Sequence, residues 1–129
     1  MIAVDTNLLV RILTNDDPIQ ARRAVKILNG DDIFIPKSVL LETEWVLRHA
    51  YEIERSNILI GFQKLIGLPN VNVEDPDSIY QAISWYENNF DFADALHLAS
   101  SSRCESFATY DRSLIKKAQQ FSSMEMIKP

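Results

Sequence analysis

The chain alternates between short apolar runs and longer stretches in which apolar residues recur at helical spacing. Such alternation predicts an α/β fold, with helices packed on both faces of a central, mostly parallel sheet of four to five strands. The apolar runs place the strands at Ile2–Asp5, Ile33–Ile35, Val71–Val73, Ser106–Thr109 and, at an edge, Met124–Ile127. No repeat or linker interrupts the pattern, so residues 1–129 are expected to form one domain.

Cap and turn residues mark several helix ends. Asp17 suits an N-cap and Pro18 the first helical position, while Gln20 is placed to complete a capping box. Gly30 is a suitable stop for the same helix, and Ser38 is a candidate cap for the next. Helices are predicted over residues 7–13, 18–30, 38–50, 56–66, from the Asp75-Pro76 pair onward, from 91 or 92 to about 103, and over 113–120.

Composition narrows the possible functions. No apolar run is long enough to span a bilayer, and an acid at position 5 does not suit a secretory signal, so we expect a cytoplasmic protein without a membrane partner. Cys104 is the only cysteine, which excludes an internal disulfide. The net charge of −5 counts against a nucleic-acid substrate, because general nucleic-acid binders usually carry a basic face.

Two aspartates follow predicted strands. Asp5 ends the first strand and Asp111 follows the fourth. Ligands of parallel sheets bind outside the carboxyl ends of the strands, so both acids are expected at the same rim. Asp111 has a simpler alternative as the N-cap of the next helix. Asp5 is less easily explained as a cap, because Thr6 could cap that helix without burying a charge.

Two further acids lie on predicted helices. Glu42 has apolar neighbours on its own helical face, whereas Glu44 precedes Arg48 by four residues, the spacing of an exposed ion pair. The alternative for Glu42 is a surface position at the edge of the core. Asp91 suits an N-cap, which leaves Asp94 as the preferred site acid at the third helical position.

If Asp5, Glu42, Asp94 and Asp111 converge, their like charges require a cation. The chain has no cysteine and histidine cluster for zinc and no glycine-rich phosphate loop. Ligands that are all oxygen favour Mg²⁺, with Mn²⁺ as a substitute. Such an ion makes phosphodiester hydrolysis the leading hypothesis.

Four segments resemble the PIN domain, in the right order and over essentially the whole chain. They are Asp5-Thr6-Asn7, Val39-Leu40-Leu41-Glu42 with Trp45-Val46-Leu47-Arg48, Asp91-Phe92-Ala93-Asp94-Ala95-Leu96-His97 and Thr109-Tyr110-Asp111. Within that family the chain is similar to VapC-type toxins of bacterial toxin–antitoxin pairs. The resemblance implies a three-layer α/β/α fold, a metal-dependent endoribonuclease, a homodimer, and inhibition by a cognate antitoxin.

The resemblance also implies roles for individual residues. The four acids would be catalytic and metal-binding, while Thr6, Asn7, Asp91 and Thr109 would support them. Candidate cations for contact with RNA are Arg11, Lys37, Arg48, Arg112 and Lys116, each of which has ordinary surface exposure as its alternative. His97 follows Asp94 by one turn, and packing or surface exposure explains it better than catalysis.

Other functions are open at this point. An aspartyl-phosphate phosphatase would require a second aspartate where Asn7 stands. A receiver-type signalling domain would require an acid pair near the first strand and a late lysine in a matching context, which are not found. A PIN nuclease without a toxin role and a catalytically silent PIN-fold binding scaffold are the remaining alternatives.

Overall fold

A computed structural model describes all 129 residues. It contains seven helices and five short strands, and every strand pair is parallel. The strands are β1 (Ile2–Ala3), β2 (Ile33–Ile35), β3 (Val71–Val73), β4 (Ser106–Ala108) and β5 (Glu125–Ile127). The helices are α1 (Thr6–Thr14), α2 (Pro18–Gly30), α3 (Lys37–His49), α4 (Arg55–Ile66), α5 (Pro76–Glu87), α6 (Phe92–Ala99) and α7 (Arg112–Phe121). The predicted α/β class with parallel strands is confirmed.

The strands form two hydrogen-bonded sheets. The first has the order β1-β2-β3, and the second pairs β4 with β5. The chain likewise divides into two compact units, Met1–Pro76 and Asp77–Pro129, each of which contains one of the sheets. The strands predicted to end in Asp5 and Asp111 therefore belong to different hydrogen-bonded sheets.

In the first unit, the inward-facing strand residues are fully buried. Ile33 and Ile35 of β2 have no solvent exposure, and neither do Leu9 of α1 and Leu40 of α3. The polar start of α2 matches the prediction, because Asp17 Oδ1 accepts a hydrogen bond from the Gln20 backbone N–H at 3.1 Å. The predicted return bond, from the Gln20 side chain to the backbone of Asp17, is wrong. The Gln20 side chain instead accepts a hydrogen bond from Arg11 Nε at 2.7 Å.

Two predicted helix ends are wrong, the start of α3 and the end of α6. Helix α3 begins at Lys37, with Pro36 rather than Ser38 at its N-cap position. The first backbone N–H groups of a helix have no partner within the helix. At the start of α3, the Lys37 N–H donates to Glu74 Oε1 at 2.9 Å, so no cap from Ser38 is needed for it. Helix α6 ends at Ala99 instead of near Arg103. The Ser101 hydroxyl bonds the His97 carbonyl at 2.8 Å, and such side-chain bonds compete with continued helix.

The second unit is held by aromatic packing. The rings of Trp85 and Phe90 stack with their centroids 5.4 Å apart, and Phe90 meets Phe121 of α7 edge-on at 5.7 Å. Tyr86 meets Phe92 of α6 in a T-shaped contact at 5.2 Å. These contacts fix the segment between α5 and α6, where Asp91 lies. No helix of the chain combines the length and the apolar character needed to cross a bilayer.

Candidate active site

Asp5 lies two residues beyond β1 and caps α1. Its backbone is extended, and Oδ1 accepts from the Leu8 backbone N–H at 3.1 Å. The cap that the sequence assigned to Thr6 is thus formed by Asp5 itself. The second carboxylate oxygen, Oδ2, makes no hydrogen bond within the chain, and the side chain is exposed. Asp5 can therefore cap the helix with one oxygen and offer the other to a ligand.

Glu42 is joined to the residue that follows Asp5. The Thr6 side chain is buried, and its hydroxyl donates a short hydrogen bond to Glu42 Oε1. The bond connects the first turn of α1 to α3, although the two residues are 36 apart in sequence. Thr6 was expected to support the acids, and in the structure it orients one of them. Asn7 is exposed in the same turn of α1.

The sequence indicated a buried Glu42 and an exposed Glu44 on α3, and the structure shows the reverse. Glu42 is exposed, whereas Glu44 is only 1% exposed and accepts two hydrogen bonds from Arg48, at 2.7 and 3.2 Å. The predicted Glu44–Arg48 pair exists, but its predicted exposure is wrong. The buried face of α3 consists of Leu40, Thr43, Glu44 and Leu47. A bidentate guanidinium compensates the buried carboxylate, which is why a charged residue is tolerated on that face.

The remaining acids lie in the second unit at two helix starts. Asp91 caps α6, with Oδ2 accepting from the Asp94 backbone N–H at 3.1 Å. Asp111 caps α7, with Oδ1 accepting from the Leu114 backbone N–H at 3.1 Å. Both capping alternatives are therefore realised. A cap uses a single oxygen, so it does not remove either carboxylate from other roles.

The fold raises the pKa of Asp94 above its usual value. Partial burial raises its pKa, and the negative charges of Asp91 and Asp111 raise it further. His97 and Lys117 act in the opposite direction. The three carboxylates of this unit are therefore close enough to repel one another at Asp94, which is the condition that a bound cation relieves.

Thr109 acts on the backbone of Asp111. Its Oγ1 accepts from the Asp111 N–H at 3.0 Å, and its own N–H donates to the carbonyl of Ile127, the last residue of β5, at 2.9 Å. The segment leading into Asp111 is thus anchored to the sheet before α7 begins. Thr109 therefore helps to fix the backbone of Asp111.

Lys117 is a residue that the sequence interpretation missed. Its ammonium donates to the Asn89 carbonyl, lies 6.0 Å from the centre of the Phe90 ring and lowers the pKa of Asp94. The neighbouring Lys116 was chosen instead. The spacing of the buried residues Leu114 and Ala118 could have indicated Lys117. At helical spacing Lys117 lies beside these two residues, whereas Lys116 lies on the opposite side of α7.

Three of the five candidate RNA-contacting cations are engaged elsewhere. Arg11 pairs with Asp16 at 2.9 Å, Lys37 with Asp75 at 2.8 Å, and Arg48 with Glu44. Arg112 and Lys116 are exposed on α7.

The donor set fits a hard cation chemically. All four predicted acids offer carboxylate oxygens, which are the ligands that Mg²⁺ and Mn²⁺ prefer. No three or more histidine, cysteine or acidic side chains are grouped closely enough to hold a metal ion in this arrangement. The fit to such an ion therefore rests on the carboxylate oxygens and on the repulsion at Asp94. It does not rest on a cluster of ligands already in place.

Comparison with known proteins identifies the family. The PIN domain model matches residues 2–120, nearly the whole chain, and the predicted fold class is thereby confirmed. A comparison with curated proteins gave no match. PIN domains are generally nucleases and typically depend on divalent metal ions. The chain therefore belongs to the PIN domain family.

Proposed function

We propose that this protein is a metal-dependent endoribonuclease that hydrolyses RNA phosphodiester bonds with water. The observation that carries the proposal is the electrostatic coupling of Asp94 to Asp91 and Asp111 in a chain that matches the PIN domain. Repulsion among neighbouring carboxylates destabilises their charged forms, and a bound cation would relieve it.

Asp5, Glu42, Asp94 and Asp111 would hold Mg²⁺ or Mn²⁺. When bound, such an ion lowers the pKa of a coordinated water and stabilises charge on the reacting phosphate. Asp5 and Asp94 are the preferred direct ligands, because Asp5 keeps Oδ2 available and the charge of Asp94 is repelled by Asp91 and Asp111. Glu42 and Asp111 would act through water.

The supporting residues keep these carboxylates in place. The Thr6 hydroxyl fixes one oxygen of Glu42, which leaves the other to accept a proton or orient a water molecule. Thr109 holds the backbone of Asp111, and Asp91 holds that of Asp94. Because water is the proposed nucleophile, the ribose 2′-hydroxyl is not consumed, and the products should carry 5′-phosphate and 3′-hydroxyl ends.

The test compares cleavage of total RNA in Mn²⁺ and in EDTA, followed by mapping of the cut ends. Asp5→Asn and Asp94→Asn should each lower the cleavage rate by at least about 100-fold. Asp17→Asn is the matched control, since Asp17 caps α2 as Asp5 caps α1 but is not among the proposed acids. Full activity of Asp94→Asn in metal-replete buffer would refute the assignment.

Calorimetry tests the cation directly and separates an enzyme from a silent scaffold. Wild-type protein should bind Mn²⁺, and each of Asp5→Asn and Asp94→Asn should weaken that binding if both acids serve one ion. Absence of Mn²⁺ and Mg²⁺ binding to the wild type would favour the scaffold.

A toxin role is the finer part of the proposal and rests on the resemblance to VapC-type proteins. It includes a cytoplasmic location, a homodimer and a cognate antitoxin. Expression in bacteria should stop growth, and co-expression of the product of the adjacent reading frame should restore it. Unimpaired growth during expression of active nuclease would instead indicate a PIN nuclease without a toxin role.

A further inference from the structure

Tyr110 is unusually exposed for an aromatic residue. Its 74% exposure equals that of the N-terminal Met1 and exceeds that of every other large hydrophobic residue left at the surface. The ring gains little from folding at that position, because most of its apolar area stays in water. Tyrosine is enriched at binding surfaces, because its ring offers an apolar face and its hydroxyl stays in water.

The backbone that carries Tyr110 is fixed on both sides. On one side, the Thr109 N–H bonds the Ile127 carbonyl at 2.9 Å. On the other, the Asp111 N–H bonds Thr109 Oγ1 at 3.0 Å, and Asp111 caps α7. Tyr110 therefore does not lie on a loose loop. Its ring projects from an anchored segment, and its neighbours in the sequence, Thr109 and Asp111, are both proposed site residues.

Two exposed cations follow Tyr110 closely in the sequence. Arg112 and Lys116 are exposed and four residues apart on α7, so they share a helical face. Helix α7 contains three cations and no acid, in a chain of net charge −5. The other three candidate cations, Arg11, Lys37 and Arg48, form ion pairs with Asp16, Asp75 and Glu44.

We propose that Tyr110 stacks on a nucleobase of single-stranded RNA while Arg112 and Lys116 bind the phosphates beside it. The proposal rests on the proposed function, since it assigns a substrate-positioning residue to the same site. Stacking requires an accessible base face, which single strands offer and base-paired duplexes do not. Because every base has such a face, Tyr110 should favour single-stranded RNA without dictating its sequence.

The first experiment measures cleavage kinetics of a single-stranded oligoribonucleotide in Mn²⁺. Tyr110→Ala should raise KM by about tenfold with a much smaller change in kcat, since loss of one stacked base weakens binding by about that factor. Tyr110→Phe and Tyr110→Trp should restore the KM, because both retain a ring. Tyr80→Ala is the matched control, since Tyr80 is 54% exposed on α5 and lies outside the site segment.

The second experiment measures the salt dependence of binding, with the Asp94→Asn background used to prevent cleavage. Arg112→Gln and Lys116→Gln should each reduce the slope of log K against log salt by about 0.7, the value for one phosphate contact on a single strand. Tyr110→Ala should weaken binding at every salt concentration and leave the slope unchanged.

The outcomes separate this inference from the proposed function. Wild-type protein that cleaves RNA, with Tyr110→Ala equal to Tyr80→Ala, would overturn the stacking role alone. Tyr110→Ala that changes the molecular mass in solution but not the KM would assign the ring to a protein interface and also overturn it. Wild-type protein that neither cleaves nor binds RNA would remove both proposals.

Discussion

The acids of the two units are stabilised in opposite ways. In the first unit each key carboxylate has its own donor: Glu42 has the Thr6 hydroxyl, Glu44 the Arg48 guanidinium, and Asp5 the start of α1. In the second unit Asp91 and Asp111 act on Asp94 as like charges, and only Lys117 and His97 oppose them. Asp91 and Asp111 also accept backbone hydrogen bonds as helix caps, but their negative charges still raise the pKa of Asp94.

This difference has a physical consequence for the site. Carboxylates with internal donors keep their orientation whether or not a cation is present. Carboxylates that repel one another are stabilised by a proton or a cation, which offsets their charge, and by water, which screens it. Within the first unit the carboxylates are therefore held in defined orientations, and within the second a bound cation would relieve the repulsion at Asp94.

Removal of compensation in the first unit should give the largest loss of stability. Arg48→Met leaves the Glu44 carboxylate buried without its guanidinium, and the free energy of unfolding should fall by about 3 kcal/mol. Urea unfolding measures the change. The double variant Glu44→Leu with Arg48→Met should recover much of the loss, because neither charge remains. An unchanged midpoint for Arg48→Met would mean that the pair does not matter to the fold.

A smaller loss is expected when the donor to Glu42 is removed. Thr6→Val keeps the shape of a buried side chain but deletes the hydroxyl, which should cost about 1.5 kcal/mol. Cleavage should fall by about tenfold, because Glu42 loses its fixed orientation. Thr6→Ser restores the hydroxyl and should restore both properties. Equal cleavage by Thr6→Val and wild type would show that Glu42 needs no positioning.

Two substitutions of Asp5 separate its structural role from its chemical role. Asp5→Ala should destabilise the protein by about 1 kcal/mol through loss of the α1 cap, while Asp5→Asn should retain most of that stability. Thermal melts in EDTA give the comparison, and both variants should be inactive. If Asp5→Asn were also strongly destabilised, the cap and the charge would not be separable at this position.

The smallest effect, and the only one of opposite sign, is expected at Asp94. Its pKa is raised, so the folded state binds the proton more tightly than the unfolded chain does. The associated stability is complete below the usual aspartate pKa and is lost as pH rises through the raised value. In EDTA at neutral pH, Asp94→Asn should therefore melt slightly above wild type.

That gain should disappear in acid and reverse in Mn²⁺. In acid both proteins are neutral at this position, and in Mn²⁺ the wild type gains binding energy that the variant lacks. Melting temperatures across pH, with and without Mn²⁺, measure this. A wild type that is more stable than Asp94→Asn in EDTA at neutral pH would contradict the repulsion inferred for the second unit.

Much of the architecture could be predicted from local signals. The Asp17-Pro18 pair located the start of α2, and the Asp75-Pro76 pair located the start of α5. Asp91 and Asp111 were recognised as potential caps, and both are caps. These features depend on residues within one turn of each other, which the sequence contains in full.

The face of α3 could not be predicted in this way. Apolar neighbours at helical spacing favoured burial of Glu42, but Trp45 is 56% exposed and Glu44 lies inside. Arg48 makes that burial tolerable, and a pair at this spacing is the same in sequence whether it is exposed or buried. The partner of Glu42 was equally hidden, because Thr6 lies 36 residues away.

The sequence by itself determined the element order, most of the caps and the supply of carboxylates, because short-range backbone and side-chain hydrogen bonds govern those features. Only the tertiary structure decided which glutamate is buried, that Thr6 holds Glu42 and that the charge of Asp111 acts on Asp94. Those properties depend on distances between residues remote in the chain, and on how much water remains around each charge after packing.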